Sequence, residues 1–314
     1  CGYSADLSDS IVDRAMFHAD NAYCLQNAQI TGYRCRTNTV SNTAFRGFGG
    51  PQGMLTIEAA MDHVASTLNI DPVDVRLRNL YRPGNDETPY GQKVTDFRLG
   101  RMMDQLIEQS HYRQRRQGIA EFNARQSYLR RGLALTPVKF GISFTATHLN
   151  QAGALIHIYS DGSVHLNHGG TEMGQGLLTK VQQIVASAFG VSTALVQVSA
   201  TATDKVPNTS PTAASSGTDL NAMAALDAAN QIKARLIAFL TQGDVVGLVD
   251  FSDGKVRQGE VTWDWADLIQ AAYLNRVSLS ATGFYKTPDI HFDRATGKGQ
   301  PFYYYAFGVA CSEV

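Results

Sequence analysis

Arg46 stands between two phenylalanines and among three glycines in the ten residues 43–52, TAFRGFGGPQ. Arginine brings a permanent charge and a planar fork of donors, and Phe45 or Phe48 offers a flat apolar face that stacks on aromatic ligands. Glycine admits positive φ and close approach of backbone to a ligand, and Pro51 suits a helix start, where its missing N–H would be unpaired anyway. Such a loop can offer free N–H groups to an anion, although taken alone it reads as a tight turn with core phenylalanines. The pattern recurs twice. Residues 169–176, GGTEMGQG, precede one helical stretch, and residues 208–219, NTSPTAASSGTD, precede another, with Pro211 near its start. Three such loops suggest one large polyanionic or heteroatom-rich ligand held by backbone N–H groups at helix N-termini.

The elements that must position these loops follow from periodicity. Residues 51–68 carry a 3.6-residue apolar face, and the stretch from Asp71 opens with an N-cap aspartate and Pro72, so both read as helices. Residues 82–98, with Pro83, Gly84, Pro89 and Gly91, read as a loop, and 99–127 as helical and charged. GALIHIYS, the Asp161-Gly162 turn and SVHLNH form an expected hairpin. A helix at 175–189, a strand at 194–201, an Ala-rich helix at 217–240 and an apolar stretch near 245–249 follow. Strands at 255–263 and 278–286 flank a helix at 264–274, and 302–314 is the final strand, expected to be buried and unfinished. Residues 1–27 show apolar positions at mixed spacing. The mixture without strict βαβ alternation predicts an α+β fold, mixed sheets with packed helices in two lobes. The composition turns β-rich after Gly132, which sets the expected lobes at 1–131 and 132–314.

The chain has 314 residues, enough for a large core, and its 27 basic and 28 acidic residues leave a net charge of −1. No basic arm or stripe argues for nucleic acid or a lipid surface. Cys1, Cys24, Cys35 and Cys311 include no C-x-x-C pair, so zinc-ribbon and cysteine-held cluster spacings are missing, and a reduced, cytoplasmic protein is the simplest reading. No signal peptide or membrane-spanning run is evident. The chain begins without methionine and stops in FYYYAFGVACSEV, so both ends read as cut from something longer. His63 has no ligand-like partner at helical spacing and reads as structural, and RQRRQ at 113–117 reads as a solvated face. Arg14, taken by itself, reads as a surface or salt-bridged residue.

TAFRGFGGPQ, FGISFT at 140–145, LNQAGALIHIYSDGS at 149–163, GGTEMGQGL at 169–177 and VPNTSPTAAS at 206–215 resemble, in order along nearly the whole chain, the molybdenum-binding subunit of the xanthine dehydrogenases, in the xanthine oxidase/aldehyde oxidase family. The resemblance implies a molybdenum atom on a molybdopterin, with no direct side-chain ligand, and purine hydroxylation. By similarity Arg46 and Gly47 lie beside the metal's oxygen ligands, Met173 and Gln175 contact the pterin, and Ala213, Ala214 and Ser215 line metal and pterin. The resemblance also implies that Arg46 and Ala214 lie near molybdenum. Arg14 holds a purine oxygen, Phe48 and Phe144 sandwich the ring, Thr145 donates to it, and Ala213 and Ala214 complete the substrate wall.

Glu172 invites the part of general base but is read as loop-structural. The family's base lies in a motif beyond Val314, and a second substrate glutamate and a glutamine near the metal lie before Cys1, so no catalytic residue is assigned and the chain alone is expected to be inactive. Two 2Fe–2S clusters, FAD and NAD are implied on other subunits or domains, in a hetero-oligomer with the iron–sulfur/FAD subunit and the rest of its own subunit. An aldehyde oxidase or other N-heterocycle hydroxylase is the alternative within the family. A non-catalytic cofactor cradle or assembly fragment is the alternative from another class.

Overall fold

The computed structural model describes residues 1–205, 209–242 and 248–314. Along the chain run α1 (Ser8–Phe17), α2 (Gly50–Leu68), α3 (Pro72–Asn79), α4 (Arg98–Gln109), α5 (Tyr112–Arg125), β1 (Leu133–Ile142), β2 (Gln151–Ile158), β3 (Val164–His168), α6 (Leu177–Phe189), β4 (Val196–Val198), α7 (Gly217–Thr241), β5 (Val249–Ser252), β6 (Lys255–Gln258), β7 (Val261–Asp264), α8 (Trp265–Leu274), β8 (Ser280–Lys286), β9 (His291–Asp293), β10 (Lys298–Gln300) and β11 (Tyr304–Glu313). The α+β class stands. The described residues form two compact units, Cys1–Thr145 with Asp289–Val314, and Ala146–Pro288.

That division does not fall at the expected lobe boundary near Gly132. The composition shift there marks the start of β1, which stays in the first unit because it pairs along its whole length with β11, from Leu133↔Glu313 to Ile142↔Tyr304. Its alternation puts Leu133, Leu135, Pro137 and Lys139 inward. Leu133 and Leu135 join Tyr23, Met61, Val73, Met103 and Tyr112 in that unit's core. Burial of such side chains is the main favourable term, about 25 cal/mol per Å² of apolar surface. β11 itself is only half-buried, against the expectation of a buried strand.

In the first unit α2 begins with Pro51 in its first turn, and Asp71 caps α3 by accepting from Val73 N–H at 2.9 Å, both as the sequence predicts. The expected helix 99–127 is two helices, broken where His111 adopts φ +50°. Helix α1 was not legible, because it buries Ser8 and Arg14 beside Ile11 and Val12 and so blurs the apolar stripe.

The second unit is built on a sheet of order β4-β3-β2-β8. The expected hairpin is present, with Ile156 opposite Leu166 and Gly162 at φ +85° in the turn. The alanines of α7 have a packing reason. A Cβ on Gly283 of β8 would lie 2.0 Å from the Ala224 carbonyl oxygen, so only small residues on both sides allow this approach. Residues 255–263 fold as two strands, β6 and β7, around Gly259 at φ +58°. The expected apolar stretch near 245 falls largely on residues 243–247, outside the described residues, as do Val206, Pro207 and Asn208 of the third loop.

Candidate functional site

In the first unit the glycines of TAFRGFGGPQ divide the work. Gly47 takes φ +90°, followed by Phe48 at φ +52° and Gly49 at φ +100°. A Cβ on Gly49 would stand 2.0 Å from Ile11 O, one on Gly53 2.1 Å from Ala15 O, and one on Gly50 2.5 Å from the Phe140 ring. These glycines therefore seat α2 on α1, which carries Arg14, and the positive torsions belong to the turn at 47–49. Arg46 is exposed and has no hydrogen bond or ion pair among the described residues. Phe45 is 82% exposed, whereas Phe48 is half-buried, so the two candidate aromatic faces differ in environment.

Arg14 is not a surface residue. It is buried, its guanidinium lies 5.0 Å from the Phe140 ring and 5.1 Å from the Phe302 ring, and no carboxylate pairs with it among the described residues. Nη1 donates to Ser143 O at 2.7 Å, Nη2 donates to Gly141 O, and Nε has no partner. Burial lowers its pKa to about 10. At neutral pH only about one molecule in a thousand would be uncharged, so this is a buried cation without an anion.

Beside it, sequence reasoning missed His18. Nδ1–H donates to Arg14 O at 2.9 Å and Nε2 accepts from Gly141 N–H at 3.0 Å. Burial first, then the charge of Arg14, holds the imidazole well below its usual range and neutral. The unfolded chain takes up a proton below about pH 6.5 that native His18 refuses, so stability falls with acid and is complete above that pH. Unfolding free energies from denaturant titrations at pH 7.5 and 5.5 should differ by about 1.4 kcal/mol from this residue, and His18→Gln should remove that share.

Phe144 and Thr145, which follow the Arg14 contacts, are half-buried. Thr145 lines a groove of about 670 Å³ with Phe17, Tyr90, Phe292, Asp13 and Arg294. Neither Phe48 nor Phe144 is among its walls, so the groove is not the expected aromatic sandwich.

In the second unit the loop GGTEMGQG departs from the expectation of free amides. Glu172 fills them. Its carboxylate accepts from Gly174 N–H at 2.8 Å, Gly176 N–H at 3.0 Å and Leu178 N–H at 3.1 Å, and so caps α6. These bonds, that from Leu178 foremost, lower its pKa. A carboxylate so held is a weak proton acceptor, in keeping with a loop-structural role. Gln175 closes the same loop, accepting from Met173 N–H and donating to Thr171 O at 2.8 Å, while the Met173 side chain is 65% exposed. Thr171 N–H donates to Thr212 Oγ1 at 2.8 Å and ties this loop to the third.

The third loop closes two of its own amides, Ala213 N–H donating to Pro211 O at 2.9 Å and Ser216 N–H to Ala213 O at 3.2 Å, and among the described residues those of Ala214, Ser215 and Gly217 have no partner. Ala214 and Ser215 adopt φ +54° and +59°, and Ser216, the N-cap of the 25-residue α7, makes no side-chain cap bond. Successive left-handed residues before an uncapped long helix form a concavity of N–H groups with a positive dipole end. Among the described residues three buried polar atoms near it lack partners, His168 Nε2, Thr209 Oγ1 and Asn221 Oδ1. A Cβ on Gly169 would meet the Thr209 side chain at 2.3 Å, and one on Gly170 the Asn221 amide at 2.8 Å, so the Gly169-Gly170 turn packs against them. His168 Nδ1 accepts from Gly170 N–H at 3.1 Å, which leaves the proton on Nε2. Neutral donors and acceptors around a helix N-terminus suit an anionic, heteroatom-rich group such as a phosphate-bearing pterin. Among the described residues no three His, Cys, Asp or Glu side chains gather where they could hold a metal, and no helix is long and apolar enough to cross a membrane.

Comparison with known proteins agrees with that chemistry. Two family models, each described as molybdopterin cofactor-binding domain, match, one over residues 1–80 and the other over 105–314. The chain is 47% identical over 313 residues to xanthine dehydrogenase/oxidase of Gallus gallus and 48% identical over 313 residues to that of Felis catus, in each case with all of this chain and 22% of the relative. It thus spans about a fifth of the length of these relatives. Among solved structures it resembles aldehyde oxidoreductase from Desulfovibrio desulfuricans, with TM-score 0.80, 23% identity, and coverage of 100% of this chain and 32% of that one. It also resembles quinoline 2-oxidoreductase from Pseudomonas putida, with TM-score 0.79, 21% identity, and coverage of 99% and 40%. These two likenesses are of fold. The chain belongs to the molybdopterin cofactor-binding domain family.

Proposed function

We propose that this chain cradles the molybdopterin of a xanthine dehydrogenase-type enzyme, which hydroxylates hypoxanthine to xanthine and xanthine to urate. The observation that carries this reading is identity near 47% to xanthine dehydrogenases along the whole chain. When bound, the cofactor supplies two-electron hydroxylation of a ring carbon. Arg46, Gly47, Met173, Gln175, Ala213, Ala214 and Ser215 are the residues we assign to it. The unpaired charge of Arg46 suits an oxygen-rich neighbour, and the open amides of Ala214, Ser215 and Gly217 suit the pterin and its phosphate.

For the purine, we assign Arg14, Phe48, Phe144, Thr145, Ala213 and Ala214. Two aromatic faces select a flat ring and exclude water, a hydroxyl donor reads a heteroatom, and Arg14 keeps its charge across the neutral range. Electrons pass to NAD through iron–sulfur and FAD centres on other parts of a cytoplasmic hetero-oligomer. Glu172 is held as a helix cap, and general-base work falls to a residue outside this chain.

The test is molybdenum content by mass spectrometry, pterin fluorescence after oxidation, and turnover of xanthine against an aldehyde, all on the complete protein. Near-stoichiometric metal with urate formation is expected. Metal with aldehyde turnover alone would replace the substrate class, and no metal with no pterin would leave a non-catalytic cradle.

A further inference from the structure

Ser143 adopts φ +130°, a torsion that side-chain-bearing residues rarely take. It comes directly after β1 and directly before Phe144 and Thr145. Residues in such regions persist where their surroundings over-determine them, and here the surroundings do. The Ser143 carbonyl accepts from Arg14 Nη1 at 2.7 Å, and its Oγ accepts from Tyr303 N–H at 3.0 Å. The same Tyr303 N–H also reaches Ile142 O at 3.0 Å. Two residues earlier, Gly141 accepts at its carbonyl from Arg14 Nη2 and donates its N–H to His18 Nε2 at 3.0 Å. Gly141 has no room for a side chain, since a Cβ would lie 2.4 Å from the Phe302 ring. The chain from 141 to 143 is therefore gripped at both carbonyls by one guanidinium, at one amide by His18, and at one hydroxyl by the backbone of 303.

We propose that Arg14, Ser143 and the Tyr303 amide form a clamp that sets the direction of Phe144 and Thr145, making Arg14 and Ser143 positioning residues for the substrate wall. The proposal rests on the purine-hydroxylase reading for its functional consequence only. A planar fork reaching two carbonyls two residues apart is a task for arginine, because the lysine ammonium is a single point donor. A torsion of +130° at residue 143 tolerates glycine, resists alanine and is worst for a β-branched side chain. The clamp lies wholly within the first unit, and His18 and Phe302 complete its walls.

The experiment uses the complete protein with Ser143→Val, Ser143→Gly and Arg14→Lys. Amide hydrogen exchange is read over 140–146 and 301–305, and KM and kcat are read for xanthine. Ser143→Val should accelerate exchange at Gly141 and Tyr303 at least about tenfold and raise KM about tenfold, with kcat changed less than about threefold. Ser143→Gly should bring KM back towards wild type, because it accepts the torsion. Arg14→Lys should accelerate exchange as Ser143→Val does, although it keeps the charge. Wild-type exchange in both Ser143→Val and Arg14→Lys would overturn the clamp. Accelerated exchange with unchanged KM would overturn its positioning role. If the protein turns over no purine at all, the exchange readings still decide whether the clamp exists, so failure of the functional reading is told apart from failure of the clamp.

Discussion

Arg14→Met in the complete protein is expected to lower kcat/KM for xanthine by about a hundredfold or more and for a simple aldehyde by about tenfold. The larger loss has two parts. Hydrogen bonds from a charged donor contribute about 1.5–3 kcal/mol each, and Arg14 makes two to main-chain carbonyls that lose their partner. That part loosens the strap carrying Phe144 and Thr145 and burdens any substrate. The second part is the charge, which only a substrate whose ring carries an oxo group would miss, and a factor of ten corresponds to about 1.4 kcal/mol. Stability is expected to fall by about 1–3 kcal/mol, because two buried carbonyls lose their donor, while methionine fills similar volume and removes a buried cation that has no anion, which limits the loss. A thermal melt checks that the variant stays folded at the assay temperature. Equal losses on both substrates, with the variant folded, would take Arg14 out of substrate contact and leave it the clamp alone.

How much of this was legible in the sequence depends on which force sets each feature. The helix starting at Pro51, the Asp71 cap and the hairpin at Asp161-Gly162 were readable, because caps, turns and apolar period are local. The three loops stood out for their glycines, yet only part of that signal concerned a ligand. Gly49, Gly50 and Gly53 exist for helix packing against α1 and Phe140, and Gly283 for α7 against β8. Glycine in a sequence does not say whether a ligand or another backbone comes close. Glu172 reads as loop-structural in the sequence, but that it satisfies the loop's own amides is decided by the fold of the loop. Arg14 and His18 could not be separated from a surface pattern, since their partners are carbonyls and amides more than 120 residues away. The pairing of β1 was not legible at Gly132 for the same reason, as β1 finds its partner at 304–313.

The second large effect concerns stability. Asp20→Ala should destabilise the first unit by about 3–5 kcal/mol, the usual loss when one member of a buried ion pair is removed. The β1 alternation that buries Leu133 and Leu135 also turns Lys139 inward, where it is fully buried. Its Nζ lies 3.2 Å from Asp20 Oδ2, which also accepts from Tyr81 OH at 2.6 Å, and it sits 4.3 Å from the centre of the Tyr305 ring. Burial pushes the Asp20 carboxyl up and the Lys139 ammonium down, so each holds its charge only because the other is there. Denaturant unfolding measures the loss, and a change below about 1 kcal/mol would mean that Lys139 is not charged in the native state. The double replacement Asp20→Leu with Lys139→Met should recover most of the stability, because a packed apolar pair of similar volume often equals a buried ion pair. It also separates two effects that the single variant confounds. Lys139 stands two residues before Gly141, which Arg14 holds, so a disordered strand end would disturb the clamp as well. If the double variant regains stability and wild-type exchange at Gly141, the ion pair serves the fold. If stability returns while exchange stays fast, the pair also fixes the end of β1 from which Phe144 and Thr145 are aimed.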